Sequence, residues 1–560
     1  MKRSRAGLAA CLMLPLAVAA GAAETGSLLA QAAPGQPAAR PPAGVFQLPP
    51  LPGVALPPRS ANEPVALELK AVRFAGNTAI PTAELDALVA PHIGRSLAAG
   101  EIEALRIELT RLYVDRGFVN SGLRVAGIDA ANGVLSFNVI EGRLQAIELQ
   151  GMDGLDDAYI TAQLHSANDG PLNLDRLRER FQLLLADPLF ERLNARLLPG
   201  DSPGEAVLAI DVRRARPYEL RLFANNHRPV SIGAATLGIA GVLRNGTGRG
   251  DVLEATLQSP AEGGGDLRGS VAWRMPLDYR GTHLSLSLDH GESSVVEQSV
   301  RSLDISSRLS SVELGLSRVV TESLDRRLSL GVAVVHRENR TWLLGRPFSF
   351  NPGEPDGIVR EDIARFWQEL VLRSQTQVLA LRSTFSWGRN NLQDVAGLPV
   401  QNRPPSNYRI WLGQAQYARR IGSKGAQLVA RATVQHSPDR LLALDGIALG
   451  GASSVRGYRE NQLVRDEGVL LNLEFEWPAI VRPEIGLRLA LVPFYDIGRG
   501  RNHGQTGTTL RSVGLATRLR WKALSVDLVL ARRIDAPALA RNQGSNLQDD
   551  GVHLQLSWQF

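Results

Sequence analysis

Cysteine is nearly absent from the 560 residues, and the single one is Cys11. It falls in a stretch laid out like a secretion signal. Lys2, Arg3 and Arg5 precede an apolar run from Leu8 to Ala20, and small residues suited to cleavage follow. A signal over residues 1–23 leaves a mature chain without a disulfide framework. Leu8-Ala9-Ala10-Cys11 has the look of a lipoprotein box, but most of the apolar run comes after Cys11, which argues against lipidation. Past the signal no run of about 18 apolar residues occurs, so no membrane-crossing helix is expected. That leaves a β-barrel open, because barrel strands only alternate apolar and polar residues. Lysine is scarce as well: Lys2, Lys70, Lys424 and Lys522 are the only four among 62 basic residues. The net charge of +6 is mild and unclustered, so a nucleic-acid partner is not expected. The nine histidines show no metal-ligand spacing, and neither a Gly-x-Ser-x-Gly elbow nor a phosphate-binding loop occurs. Metal, cofactor and enzymatic activity are accordingly not expected.

What the chain does have is length and turns. Its 560 residues exceed one ordinary core, and 54 glycines fit a turn-rich β protein. Residues 24–64 read as a short helix (24–32) followed by a linker rich in proline and alanine, from Pro34 to Pro58. From 65 to 143 the pattern is β-α-α-β-β: Leu67 to Phe74 suggest a strand, and Ile102, Leu105, Leu109, Leu112 and Tyr113 recur at helical spacing. Two strands follow, turned at Asn132-Gly133. The same order returns over 144–216, with Asn173 placed to cap its longer helix. Two tandem α/β modules are the simplest account, and neither carries a catalytic pattern. Strand edges of such modules suit peptides that add as an extra strand.

From 217 to 560 the period changes to two. Val552, Leu554, Leu556, Trp558 and Phe560 alternate with polar residues, as do Ile485, Leu487, Leu489 and Leu491. Sixteen strands can be drawn, the second over 230–243. Their connectors alternate between short ones, such as 245–248 and 421–423, and long ones, such as 341–360, 437–465 and 499–509. Short turns on one rim and long loops on the other are the habit of outer-membrane barrels. The fold class expected is two small α/β modules followed by a transmembrane antiparallel β-barrel of about 16 strands. Arg249-Gly250-Asp251 falls on a turn of the short rim, which counts against an adhesion role.

The longest connector contains Val455-Arg456-Gly457-Tyr458. A folded-back loop would bring Arg456 to a carboxylate in the lumen. Alternation places Phe494 and Asp496 of Phe494-Tyr495-Asp496-Ile497-Gly498 there, with Glu474 and Glu476 as rival acids.

These motifs, the two modules and the terminal Phe560 resemble the two-partner secretion transporters, TpsB-type haemolysin secretion/activation proteins (ShlB/FhaC/HecB) of the BamA superfamily. Gly117-Phe118-Val119-Asn120-Ser121 and Ile140-Glu141-Gly142-Arg143 resemble signatures of the first POTRA domain of that family. The resemblance implies two periplasmic POTRA domains and a sixteen-stranded outer-membrane barrel. It implies a secreted TpsA-type exoprotein as partner, recognised through its N-terminal secretion domain and passed outward unfolded. It equates Arg456 and Asp496 with the family's loop arginine and strand aspartate, and puts the plug helix at 24–32. Leu554, Leu556, Trp558 and Phe560 resemble the signal read by the barrel-assembly machinery. The chain is expected to sit in lipid as a single copy. A general assembly factor of the same superfamily remains the alternative, although those carry more modules. A passive porin is the weaker one, since it needs no modules.

Overall fold

The computed structural model describes residues 43–47, 67–165, 170–261, 266–297, 300–395, 403–535 and 546–560. The expected signal (1–23) and short helix (24–32) lie outside them. The chain divides into two compact units, one spanning Ala39–Arg216 and the other containing Pro217–Phe560.

The first unit contains two modules. In the first, strand Val134–Ile140 pairs in parallel with Ala71–Ala75 and antiparallel with Gly122–Asp129. Helices Thr82–Val89 and Ala99–Asp115 complete it. Leu105, Leu109 and Tyr113 recur every fourth residue on the longer helix, so one stripe meets Leu85, Leu123, Leu135 and Phe137 in the core. The Glu101 carboxylate accepts from the Ala98 N–H (2.9 Å) at the start of that helix, satisfying one of its free donors.

The second module pairs Glu205–Arg214 in parallel with Arg143–Gln150 and antiparallel with Phe190–Pro199. Its longer helix, Leu174–Leu185, begins at Asn173, whose Oδ1 accepts from the N–H groups of Asp175 and Arg176 (both 3.1 Å). Within the proline-rich linker the structure adds something not read from composition. Residues Ala43–Gln47 form a fourth strand, parallel to Phe190–Pro199. This stretch, Ala-Gly-Val-Phe-Gln, contains no proline, so every residue keeps the N–H that a ladder needs.

The family-like segments of the first module lie at the junction of the two. Leu174 N–H donates to Gly117 O (2.9 Å), Leu172 N–H to Gly142 O (2.7 Å) and Asn120 Nδ2 to Gly204 O (2.7 Å). Glu141 ties the first module to itself. Its carboxylate accepts from the N–H groups of Thr78 and Ala79 (2.7 Å each), from the Thr78 hydroxyl and from Tyr113 Oη (3.1 Å). Burial works against its charge, but these donors prevail and hold the carboxyl below its ordinary value.

The second unit is a closed antiparallel barrel of sixteen wall strands. β1 (Tyr218–Asn225), β2 (Thr236–Arg244), β3 (Val252–Pro260) and β4 (Arg268–Pro276) are short. β5 (Thr282–Ser294), β6 (Ser306–Glu322), β7 (Arg326–Leu343), β8 (Ile358–Arg373), β9 (Gln377–Asn390) and β10 (Asn407–Ile421) are longer. β11 (Ala426–His436), β12 (Glu467–Arg482), β13 (Leu487–Arg501), β14 (Thr508–Trp521), β15 (Leu524–Arg533) and β16 (Val552–Gln559) close the wall. The alternation read from sequence is the inside–outside alternation of this wall. Leu314, Leu316, Val332 and Val334 are exposed on its outer face, together with Leu554, Leu556 and Trp558 of β16 and the following Phe560.

Three local expectations differ. Strand β2 starts at Thr236 rather than 230, because Pro229 is followed by a 3-10 turn, Val230–Ile232. The connector expected over 499–509 shrinks to 502–507, because β13 and β14 stay paired as far as Gly500 and Thr508. Strand β7 runs on to Leu343, into the connector expected from 341, and reaches 18 residues, where a tilted bilayer-spanning strand needs only about 9–11. Within the 245–251 turn, Asp251 is buried and accepts from Thr247 and from Trp273 Nε1 (3.0 Å), so the Arg-Gly-Asp triplet is not presented.

The seam between β16 and β1 has only five paired positions, from Arg221↔Gln559 to Asn225↔Gln555. Beyond Asn225 one backbone bond follows, from Asn226 N–H to Leu554 O (3.2 Å), and side chains add to it. Asn226 Nδ2 donates to Val552 O (2.9 Å) and its Oδ1 accepts from the Leu554 N–H (2.8 Å). Gln548 Nε2 donates to the carbonyls of Asn226 and Arg228 (2.6 and 2.7 Å).

Candidate functional site

The connector between β11 and β12, residues 437–466, folds back into the lumen. A small hairpin stiffens it, with Ile447–Leu449 paired to Leu463–Arg465. Between these two strands lies Val455-Arg456-Gly457-Tyr458, and the loop forms an apolar core of its own. Val455 and Tyr458 are buried with Ile447, Leu449 and Leu463 against Leu470 of β12 and Leu510 of β14.

The tip needs one residue free of side chain. Gly457 has φ +90°, and a Cβ there would come within 2.9 Å of Ala531 Cβ. Freed in this way, its N–H donates to His553 Nε2 of β16 (3.1 Å), and its carbonyl accepts from Arg533 Nε of β15 (2.7 Å). Tyr458 Oη donates to the carbonyls of Arg511 and Asp535 (3.0 and 2.7 Å).

Arg456 points at β12 and β13. Its Nε and Nη2 donate to the two carboxylate oxygens of Asp496, 2.7 Å each, in a bidentate fork. Its backbone N–H adds a third bond to Asp496 Oδ2 (3.0 Å). Its Nη1 donates to Glu474 Oε1 (2.7 Å), and its guanidinium carbon lies 3.6 Å from the centre of the Phe494 ring. Arg456 is 5% exposed and Asp496 0%, so this is a buried ion pair with its donors satisfied. Asn472, opposite Asp496 in the ladder, donates to Asp496 Oδ1 (2.8 Å) and to the Ser454 carbonyl (2.6 Å).

The structure therefore brings Val455, Arg456, Phe494, Asp496 and Glu474 together, with Gly498 facing Val455. The two acids offered as alternatives divide. Glu474 shares Arg456 and is also held by Arg431 and Arg518, whereas Glu476 is held by Arg488 and Arg518 and does not touch the loop arginine. Leu554, Leu556, Trp558 and Phe560 stand apart from this site, on the outer face. Residues that sequence reasoning passed over include Asn472, Arg533, Gln548, Asp549 and His553. The alternation of β16 could have found His553, since Leu554 and Leu556 facing lipid put 553 inside. No pattern marks Asp549, which accepts from Arg459 Nε and Nη2 (2.5 and 2.7 Å).

A lumenal cavity of about 880 Å³ remains beside the loop, lined among others by Arg268, Arg365, Arg382, Arg431, Arg518 and Arg520. Among the described residues no group of histidines, cysteines or acids could hold a metal. The arrangement is one of position and charge: a loop plugs part of a charged channel and is locked to its wall.

Comparison with known proteins bears on the family and the fold. Residues 204–521 match the family described as haemolysin secretion/activation protein ShlB/FhaC/HecB, and residues 67–142 match the ShlB-type POTRA domain. The chain is similar to the outer membrane transporter CdiB of Escherichia coli, 24% identical over 460 residues, covering 76% of this chain and 72% of that one. It is also similar to the heme/hemopexin transporter protein HuxB of Haemophilus influenzae (strain 86-028NP), 22% identical over 470 residues, covering 79% and 77%. Among solved structures, CdiB from Escherichia coli matches with a TM-score of 0.70 at 20% identity, over 91% of this chain and 93% of that one.

Proposed function

The chain belongs to the haemolysin secretion/activation family ShlB/FhaC/HecB, and on that premise we propose that it recognises the secretion signal of a large TpsA-type exoprotein and passes it, unfolded, to the cell surface. It is an outer-membrane transporter of the TpsB type with POTRA modules in the periplasm. The observation that carries the reading is the loop locked in the lumen through Arg456, Asp496 and Glu474. A channel wide enough for an extended chain must be kept shut between substrates, and a loop held by ion pairs and its own apolar core can do so reversibly.

The modules supply recognition by strand addition. Residues Ala43–Gln47 already occupy the Phe190–Pro199 edge in this manner. The edge strand Gly122–Asp129 of the first module has exposed Val125 and Ile128 to offer an incoming strand. The sequence holds no phosphate-binding loop, and export is driven by folding of the partner outside the cell. The barrel works as a single copy, and the assembly machinery inserts it by reading the outward row that ends in Phe560.

The test is to compare exported proteins of the native host with and without this chain. A single large exoprotein should vanish from surface and medium while other outer-membrane proteins keep their levels. A general decline of outer-membrane proteins, with no exoprotein lost, would favour the assembly-factor reading instead.

A further inference from the structure

The loop that carries Arg456 meets the wall at a second buried ionic site, outside the motif. Eleven residues before Arg456, Asp445 pairs with Nη2 of Arg337 on β7. Arg337 is 4% exposed and also lies 2.8 Å from Glu361 Oε2 on β8, its direct partner across the ladder. Glu361 is 1% exposed and accepts from Tyr408 Oη of β10 (3.0 Å). The loop backbone is fixed at the same place. Gln435 Nε2 donates to the Asp445 carbonyl (2.9 Å), and Leu442 packs with Val359 and Leu392. Three strands, β9 to β11, separate the β7–β8 sector from the β12–β13 sector that holds Arg456.

The two sites are built differently. At the tip, Arg431, Arg456, Arg488 and Arg518 face Glu474, Glu476 and Asp496, so every carboxylate has an arginine of its own. At the second site one guanidinium serves two acids. Arg337 is thus shared between Glu361 of the wall and Asp445 of the loop. Arg337 Nε and Asp445 Oδ2 make no hydrogen bond to the protein. A covered charge with a shared partner is held weakly against the cost of leaving water.

We propose that Asp445 and Arg337 form a second anchor, which positions the ascending arm of the loop independently of Arg456. The tip can then slip while the arm stays seated, and the loop leaves the lumen only when both anchors are lost. Asp445→Asn removes this anchor selectively, because Arg337 and Glu361 keep each other.

The experiment uses the full chain in cells, with Ser454→Cys as the reporter. Ser454 is buried at the tip, and its hydroxyl has no hydrogen-bond partner to lose. Labelling by a bulky, membrane-impermeant maleimide reads loop exit, and a heat-modifiable band on a gel confirms the folded barrel. Asp445→Asn or Arg456→Ala alone should raise the labelling rate only a few-fold. The double variant should raise it well beyond the product of the two, and Asp445→Glu should restore the single-variant level. If Asp445→Asn spoils the barrel, Asp445→Ser replaces it in the same comparison. Labelling of the double variant no faster than that of Arg456→Ala alone would overturn the proposal. The readout needs no exported partner, so it succeeds or fails separately from the transport reading.

Discussion

Gly498 faces Val455 so closely that a Cβ at position 498 would come within 2.8 Å of Val455 Cγ2 and 3.1 Å of Leu449 Cδ2. The last residue of the strand motif is thus shaped by the first residue of the loop motif, next to the Arg456–Asp496 ion pair. Alanine at 498 demands a small shift, and valine cannot be accommodated without lifting the loop. Gly498→Val should reduce export by about tenfold or more and Gly498→Ala by less, because core overpacking displaces whatever is free to move. Exoprotein in the medium, divided by folded barrel in the membrane, is the measure. Equal export by both variants would show that the loop is not seated on that wall.

The seam invites a stability test. Asn226 and Gln548 reinforce a seam whose ladder has only five pairs. Removing the Asn226 side chain leaves the Val552 carbonyl and the Leu554 N–H without these partners. Asn226→Ala should cost about 2–3 kcal/mol, at about 1 kcal/mol per hydrogen bond plus the desolvated groups left behind. It should lower the temperature at which the purified barrel loses its heat-modifiable band. An unchanged midpoint would mean that the seam does not depend on this residue.

Glu141 gives the periplasmic unit a pH dependence with a definite sign. Its carboxyl is held below the ordinary value, so the folded state favours the ionised form. That contribution is complete above the unfolded value of about 4.3 and is lost as pH falls through the lower folded value. In urea unfolding of a 39–216 fragment, the gap between wild type and Glu141→Gln should be wide at neutral pH and narrow progressively as the pH falls below the ordinary carboxylate value. A gap constant with pH would show that the donors do not select the charged form.

The outward row of β16 bears on insertion rather than on transport. Trp558 and Phe560 are 47% and 56% exposed on the outer face, whereas the loop lies in the lumen. Deleting Phe560 should lower the amount of barrel in the membrane while leaving export per inserted barrel unchanged. An unaltered membrane level would reduce Phe560 to an ordinary interfacial aromatic.

The barrel was legible because its alternation is enforced by two solvents, lipid outside and water inside, so nearly every strand carries the period. Length was harder to read, since ladder pairing continues β7 to Leu343 without any apolar signal to mark where lipid ends. The motif acids were legible as a set, because alternation sorts Glu474, Glu476, Phe494 and Asp496 to the same side. Their division was not. Whether Arg456 takes one acid or two depends on the direction from which the loop arrives, and that is set by the hairpin Ile447–Leu449 with Leu463–Arg465. Asp445 was hidden for the same reason: it acts across a fold whose approach angles no linear spacing records.

The most direct measurement is export by a chain carrying Arg456→Ala whose barrel is inserted and heat-modifiable. The loop arginine donates to Asp496 and Glu474 in a buried site, so its loss should cut export by about tenfold or more while the barrel level holds. Export at the wild-type rate from a folded Arg456→Ala barrel would contradict the account.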